Sequence, residues 1–344
     1  MPPHPHRPPE LAWQVFRGSE AIRRGLLSRH HLRGASWIRL RQDVYADARL
    51  DRDHALACRA ALLRLPPGAA IAGPSAAYLH GVEHAAGFTD DVHVLLPTTV
   101  RADSQPGVRV HHAPMSSTRS GLLVPVGAAA PAGTSPPAGT RSPAGTRSPV
   151  AAHLAADRSS PGAVMILAGP PPRTEPAACA WETAVWADPV EAVGIIDGLL
   201  RTGSVNRSAL ASEAARNACR PGGRRAVWVF GLTDGLAQSP PESHLRVRLV
   251  LAGLPRAVAQ YPVRVSTGLI LHPDLAWPEF RVAVEYDGQW HSDADRMHLD
   301  RRRLNQLVAA GWLVLHVTGR RLRKEFPALV REIRAALVAR GWRP

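Results

Sequence analysis

Lysine is almost missing from this 344-residue chain: Lys324 is the only one, so the formal net charge of +14 rests on arginine. Cysteine is scarce too. Cys58, Cys179 and Cys219 are odd in number and widely separated, which excludes a disulfide framework and a Cys-x-x-Cys zinc site. No apolar run reaches the roughly 18 residues a spanning helix needs, and the opening "MPPHPHRPPELAW" lacks the apolar core of a signal peptide. The expectation is a cytoplasmic protein with no membrane partner. With 5 Phe, 4 Tyr and 9 scattered Trp, there is also no aromatic stretch on which single-stranded RNA would stack.

What is abundant is arginine, alanine and proline. A strongly basic chain of this length points to a polyanionic partner; compositional bias of the whole chain accounts for the same charge equally well. The length allows two or three domains. From residue 10 to 82, "GSEAIRRGLLSRHHLRG" offers Ser19 and Ser28 as successive helix caps around Gly25, and "WIRLRQDVYA" sets Trp37 and Val44 on strands either side of a turn. Two helices and a wing-like hairpin describe a winged helix. Asp51 is placed to cap the longer helix that follows, which Pro66, Pro67 and Gly68 end.

Residues 83–220 read as a small α/β region. It contains "VHVLLP" and "VRVHHAP" as strands, with His111 and His112 on opposite faces, then helices over 177–200 and around 209–218. Between 116 and 162 the chain degenerates into "PAGTSPPAGTRSPAGTRSP", which cannot bury apolar surface and is expected to be a disordered insertion. "CRPGGRR" reads as a second linker.

The stretch 239–344 gives α-β-β-β-α-β-α. A helix in "SPPESHLRVRLVLAGL" is followed by strands in "VAQYPVRV", "LILHPDLAW" and "FRVAVEYDG". An amphipathic helix ending in "LNQLVAAG", the strand "WLVLHVT" and the helix "FPALVREIRAALVARG" complete it. Strand periodicity sends Val282, Val284 and Tyr286 one way and Ala283, Glu285 and Asp287 the other. If the "WPEF" corner pairs the two strands, Asp274 lies opposite Ala283 to Val284, a diagonal neighbour of Glu285 at ~7–8 Å. Unpaired, these acids would raise one another's pKa. A hard divalent cation such as Mg²⁺ or Mn²⁺ would relieve that and could promote phosphodiester cleavage; individual pairing with nearby arginines would relieve it as well. Glu242, three residues after Ser239, fits a capping box and also lies on the helix face that meets the sheet.

The segments "SPPESHLRVRLVLAGLP", "HPDLAWPEFRVAVEYDGQWH" and "DRRRLNQLVAAGWLVLHVT" resemble the domain of unknown function 559, related to very-short-patch repair endonucleases of the PD-(D/E)XK superfamily. The resemblance spans Ser239 to Leu337. It implies a metal-dependent DNA endonuclease with Asp274 and Glu285 as metal ligands and Glu242 as the first-helix acid; Asp287, on the same strand face as Glu285, is read as a further metal ligand. The superfamily's lysine would fall at position 287, where this chain has Asp287. The short-patch relatives use histidine near this point, which makes His291 the candidate for activating water; a strand-end histidine with a structural hydrogen bond is the competing reading. Arg296, Arg301, Arg302 and Arg303, with Arg320, Arg321, Arg323 and Lys324, then suit phosphate contacts or simply form a solvated face.

The region from residue 10 to 82 is similar to the N-terminal region of AbiEi-type antitoxins of type IV toxin–antitoxin systems, through "GLLSRHHLRGASWIRLRQDVYA" and "PPGAAIAGPSAAYLHGV". That likeness implies operator binding through Arg29, His30 and Arg33 on a recognition helix and Arg39 and Arg41 on the wing. The leading expectation is therefore a DNA-binding protein with a metal-dependent endonuclease domain. The alternative is an antitoxin-like transcriptional autoregulator with an inactive nuclease-like domain and a toxin protein as partner. The sequence leaves oligomeric state open.

Overall fold

The computed structural model describes residues 6–113, 118–119, 123–126, 164–167, 169–287 and 294–344, with side chains for 6–113, 169–287 and 302–344. The chain is mixed α/β and divides into two compact units, Met1–Pro67 with Ser120–Pro172, and Gly68–Arg119 with Arg173–Pro344. Among the described residues, no helix is long and apolar enough to cross a membrane.

In the first unit, β1 (Val15–Arg17) runs into α1 (Gly18–Arg23), and β2 (Trp37–Arg41) and β3 (Val44–Asp47) form the expected hairpin. The sheet order is β1-β3-β2. Asp43, left-handed at φ +59°, makes the hairpin turn, and its carboxylate accepts from Ser19 N (2.7 Å) and Oγ (2.6 Å), tying that turn to α1. Phe16 packs edge-on against Trp37 at 5.1 Å, inside a core with Leu11, Ala21 and Leu27. Three expectations are corrected. Ser19 is not a helix cap: α1 begins at Gly18 after Arg17, and Ser19 lies inside it with its hydroxyl given to Asp43. The segment after Ser28 forms only a three-residue 3-10 turn, His31–Arg33, because Ser28 Oγ accepts from His31 N and closes the chain locally. The next helix, α2 (His54–Leu62), is capped by Asp53 instead of Asp51, with Leu56 N donating to Asp53 Oδ1 at 2.8 Å.

The second unit opens with β4 (Ala70–Ile71), α3 (Gly73–Leu79), β5 (Val92–Pro97), β6 (Val108–Ala113) and β7 (Thr118–Arg119). Most of the expected 116–162 insertion lies outside the described residues, but its start is corrected: β7 is a strand, and β8 (Leu123–Val126) pairs antiparallel with β9 (Val164–Leu167), two short apolar runs that can satisfy each other. With β10 (Arg173–Thr174) the sheet of this unit reads β6-β5-β4-β10-β7. His111 stacks on Trp186, ring centres 3.5 Å apart.

Four helices follow: α4 (Pro176–Trp186), α5 (Pro189–Arg201), α6 (Arg207–Arg216) and α7 (Gly223–Leu232). The helical stretch expected over 177–200 is divided into α4 and α5, because Pro189 disfavours helical backbone at Asp188 and Asp188 instead caps α5 by accepting from Val190 N at 2.9 Å. The "CRPGGRR" linker is a tight turn through left-handed Gly222, φ +88°, into α7.

The remainder of the unit comprises α8 (Pro240–Leu251), β11 (Val258–Ala259), β12 (Val263–Arg264), β13 (Ile270–Leu271), β14 (Leu275–Trp277) and β15 (Val282–Asp287), then α9 (Ala294–Ala309), β16 (Leu313–Thr318), α10 (Gly319–Lys324) and α11 (Phe326–Ala339). Two expected strands each break in two. Pro262 and Pro273 carry no N–H for a ladder, and β12 and β13 leave to form their own hairpin. The main sheet is β11-β14-β15-β16, antiparallel except for the parallel β15–β16 pair, which α9 connects. One face of the sheet, Leu275, Trp277, Val282 and Val284, buries against Leu245 and Leu249 of α8 and Leu329 and Ile333 of α11. The other, Ala276 and Ala283, packs on Leu307 of α9 and on Trp312.

α8 is held to α5 by a buried ion cluster. Arg246, 1% exposed, pairs with Asp197 of α5 at 2.7 Å and with Asp234 at 2.8 Å. Asp197 also accepts from Ser243 Oγ and from the backbone of Asp234 and Gly235. The buried Arg246 and Asp197 thus meet opposite charges, with the half-buried Asp234 closing the cluster on its outer side.

Candidate active site

Glu242 stands in the first turn of α8, and its carboxylate is spent on local structure first. Oε1 accepts from Ser239 Oγ at 2.7 Å, and Oε2 from the Gln238 N–H at 2.8 Å. The capping box is therefore rearranged: Ser239 donates to the glutamate instead of capping the helix. Oε2 also receives the Gln260 side-chain amide at 3.3 Å. Burial, followed by the nearby Asp274 charge, raises the Glu242 pKa.

Asp274 leads into β14. The strand register pairs Leu275 with Val284, so Asp274 faces the level of Glu285, one to two residues further along than the expected partners Ala283 to Val284. Its Oδ2 accepts from Tyr286 N at 2.7 Å and its Oδ1 from Gln260 Nε2 at 3.2 Å. Burial raises its pKa against the pull of those two bonds. Glu285, on β15, is pushed up to about 7 by burial, with Arg303 pulling the other way and Asp274 adding to the rise. Arg303 Nη2 sits 3.2 Å from Glu285 Oε1 and also donates to the His272 carbonyl.

Asp287 ends β15 and turns to β16, 3.1 Å from His316 Nδ1. Glu242 and Asp274 are thus joined through one amide, Glu285 lies beside them under a guanidinium, and Asp287 has a separate partner. His291 lies outside the described residues, as do the side chains of Arg296 and Arg301.

Carboxylate oxygens are the donors a hard divalent cation takes, so the residues suit Mg²⁺ or Mn²⁺ in kind. Gln260 and Arg303 already donate to oxygens such an ion would use. Among the described residues, no three His, Cys, Asp or Glu side chains are gathered tightly enough to hold a metal between them.

Of the remaining arginines, Arg302, Arg320 and Arg323 are exposed, Arg320 pairing with Glu325 at 3.3 Å, while Arg321 is engaged with Glu332 and the His316 carbonyl. In the first unit Arg29, His30, Arg33 and Arg39 are exposed and Arg41 is half-buried. The residue-level reading of the sequence missed Gln260 and His272, whose Nδ1 donates to the Gln260 carbonyl at 2.9 Å. A polar glutamine inside the otherwise apolar "VAQYPV" was the available signal.

The chain is similar to two uncharacterized proteins of Mycobacterium tuberculosis, from strains CDC 1551 / Oshkosh and ATCC 25618 / H37Rv. Each is 31% identical over 153 residues, 44% of this chain and 56% of the relative. The aligned region thus spans little more than half the length of those relatives. No family model matches the chain, and no solved structure matches it.

Proposed function

We propose that this is a DNA-binding protein whose 239–344 region hydrolyses DNA phosphodiesters with the help of a divalent cation. The observation that carries the reading is that Asp274, at the start of β14, stands beside Glu285 of the adjacent strand β15 and is bridged through the Gln260 amide to Glu242 in the first turn of α8. The order of helix, hairpin, β15–α9–β16 crossover and closing helix supports a PD-(D/E)XK-like fold. Asp274 and Glu285, with Asp287, would hold Mg²⁺ or Mn²⁺, which supplies electrophilic stabilisation of the phosphodiester. Glu242 completes the acidic patch, and His291 is assigned proton transfer. Exposed Arg302 and Arg323 offer guanidinium groups to the phosphate backbone, and the β2–β3 hairpin of the first unit is assigned the role of a DNA-binding wing with Arg39 and Arg41.

The test is nicking of supercoiled plasmid in Mg²⁺ or Mn²⁺ by the wild type, Asp274→Ala and Glu285→Ala. Cleavage by the wild type that falls at least a hundredfold in both variants is expected. Equal activity in all three, or none in any of them with DNA binding intact, overturns the nuclease reading. One observation favours a second reading, an antitoxin-like autoregulator with a non-cleaving domain: Arg303 already neutralises Glu285. Under that reading the wild type retards the DNA upstream of its own coding sequence and leaves it uncut.

A further inference from the structure

Gln260 lies between β11 and the β12–β13 hairpin, and every polar group it carries is engaged. Its N–H donates to the Asp274 carbonyl at 3.2 Å, and its own carbonyl accepts from His272 Nδ1. Its side-chain oxygen accepts from Gln238 Nε2 at 3.1 Å, and Nε2 donates to both Glu242 and Asp274. The orientation of the amide follows from these partners, since both carboxylates can only accept and the Gln238 amide nitrogen can only donate. Its backbone is left-handed, φ +51°, a conformation that costs a residue with a Cβ and that persists where surrounding contacts enforce it. Glutamate at this position would bring a third negative charge to Glu242 and Asp274, and an apolar residue would leave the two acids to repel.

We propose that Gln260 is a positioning residue of the acidic site, its carboxamide holding Glu242 of α8 against Asp274 of the strand hairpin and so fixing the aspartate assigned above to the divalent cation. This rests on the nuclease reading. Nothing else among the bonds described here links those two side chains, which come from elements of opposite character, a helix turn and a strand end.

The deciding variant is Gln260→Gly in the full chain, because glycine accepts a left-handed backbone freely. It removes the amide while leaving the main-chain bonds to Asp274 and His272. Mn²⁺ binding followed by electron paramagnetic resonance is measured beside the urea unfolding midpoint, for the wild type, Gln260→Gly and Asp274→Ala. The expected result is at least tenfold weaker Mn²⁺ binding in Gln260→Gly with an unfolding midpoint equal to or above wild type. Unchanged affinity in Gln260→Gly while Asp274→Ala loses the ion overturns the role of Gln260 and leaves the nuclease reading standing. A midpoint that falls along with the affinity makes Gln260 merely structural and also overturns the proposal. A wild type that binds no Mn²⁺ overturns the metal reading itself, and the positioning role with it.

Discussion

Arg303 Nη2 and Glu285 Oε1 lie 3.2 Å apart, a helix cation resting on a strand carboxylate that burial has driven up to about pH 7. The guanidinium lowers the proton affinity of Glu285, whereas Asp274 and Asp287 raise it. Replacing Arg303 with Ala is expected to move the Glu285 titration above its wild-type value, as followed by carboxyl ¹³C NMR. A midpoint that stays put or falls contradicts this account of the charge balance.

Glu182 of α4 gives a pH dependence of stability. It is 5% exposed and accepts from Gly73 N and Thr174 Oγ1, both at 2.8 Å. Burial drives its pKa up to about 7 from 4.5. Because the folded value is the higher one, the unfolded chain ionises first, and stability falls as pH rises from 4.5 towards 7. Glu182→Gln keeps an acceptor for both donors and should be the more stable protein at pH 8 by about 3 kcal/mol, with the difference vanishing near pH 4. Parallel urea melts from pH 4 to 8 would reveal it; a constant offset would refute it.

Removing Arg246 strands Asp197 in the interior and leaves the half-buried Asp234 unpaired by it. Arg246→Met is expected to cost about 3–5 kcal/mol in urea denaturation, the range for breaking one side of a buried ion pair. A loss below about 1 kcal/mol would mean that water or a rearranged loop compensates.

Phosphate contacts can be told from internal pairing by salt dependence. Arg323→Ala, at an exposed position, should flatten the dependence of log affinity on log salt for duplex DNA by about 0.9. Arg321→Ala, whose guanidinium serves Glu332 and His316, should lower the unfolding midpoint and leave the slope nearly unchanged. Equal slope changes would put Arg321 on the phosphates too.

Periodicity made the late hairpin legible. The alternation of Val282, Ala283 and Val284 in the sequence is the alternation of the two cores in the structure, and Trp37 and Val44 flank the turn expected of them. Local competition is what hid the rest. Ser28 reads as a helix cap, but its hydroxyl closes a single turn with His31. "VAQYPVRV" reads as one strand, yet a left-handed Gln260 and Pro262 break it. The pairing of Arg246 with Asp197 spans 49 residues, and no short-range pattern announces a contact between a helix arginine and an aspartate so far upstream. That Glu242 would sit in the first turn of a helix was legible; that Ser239 would donate to it instead of capping was not, since hydroxyl direction is decided by the fold.

The Arg246 cluster sets a limit on dissection. A fragment cut at Ser239, where the resemblance to nucleases begins, would inherit a guanidinium shaped for the interior but neither of the two aspartates that neutralise it. The smallest piece able to carry the acidic site in its native pose therefore starts before α5, and the helices upstream act as its foundation instead of as a tether.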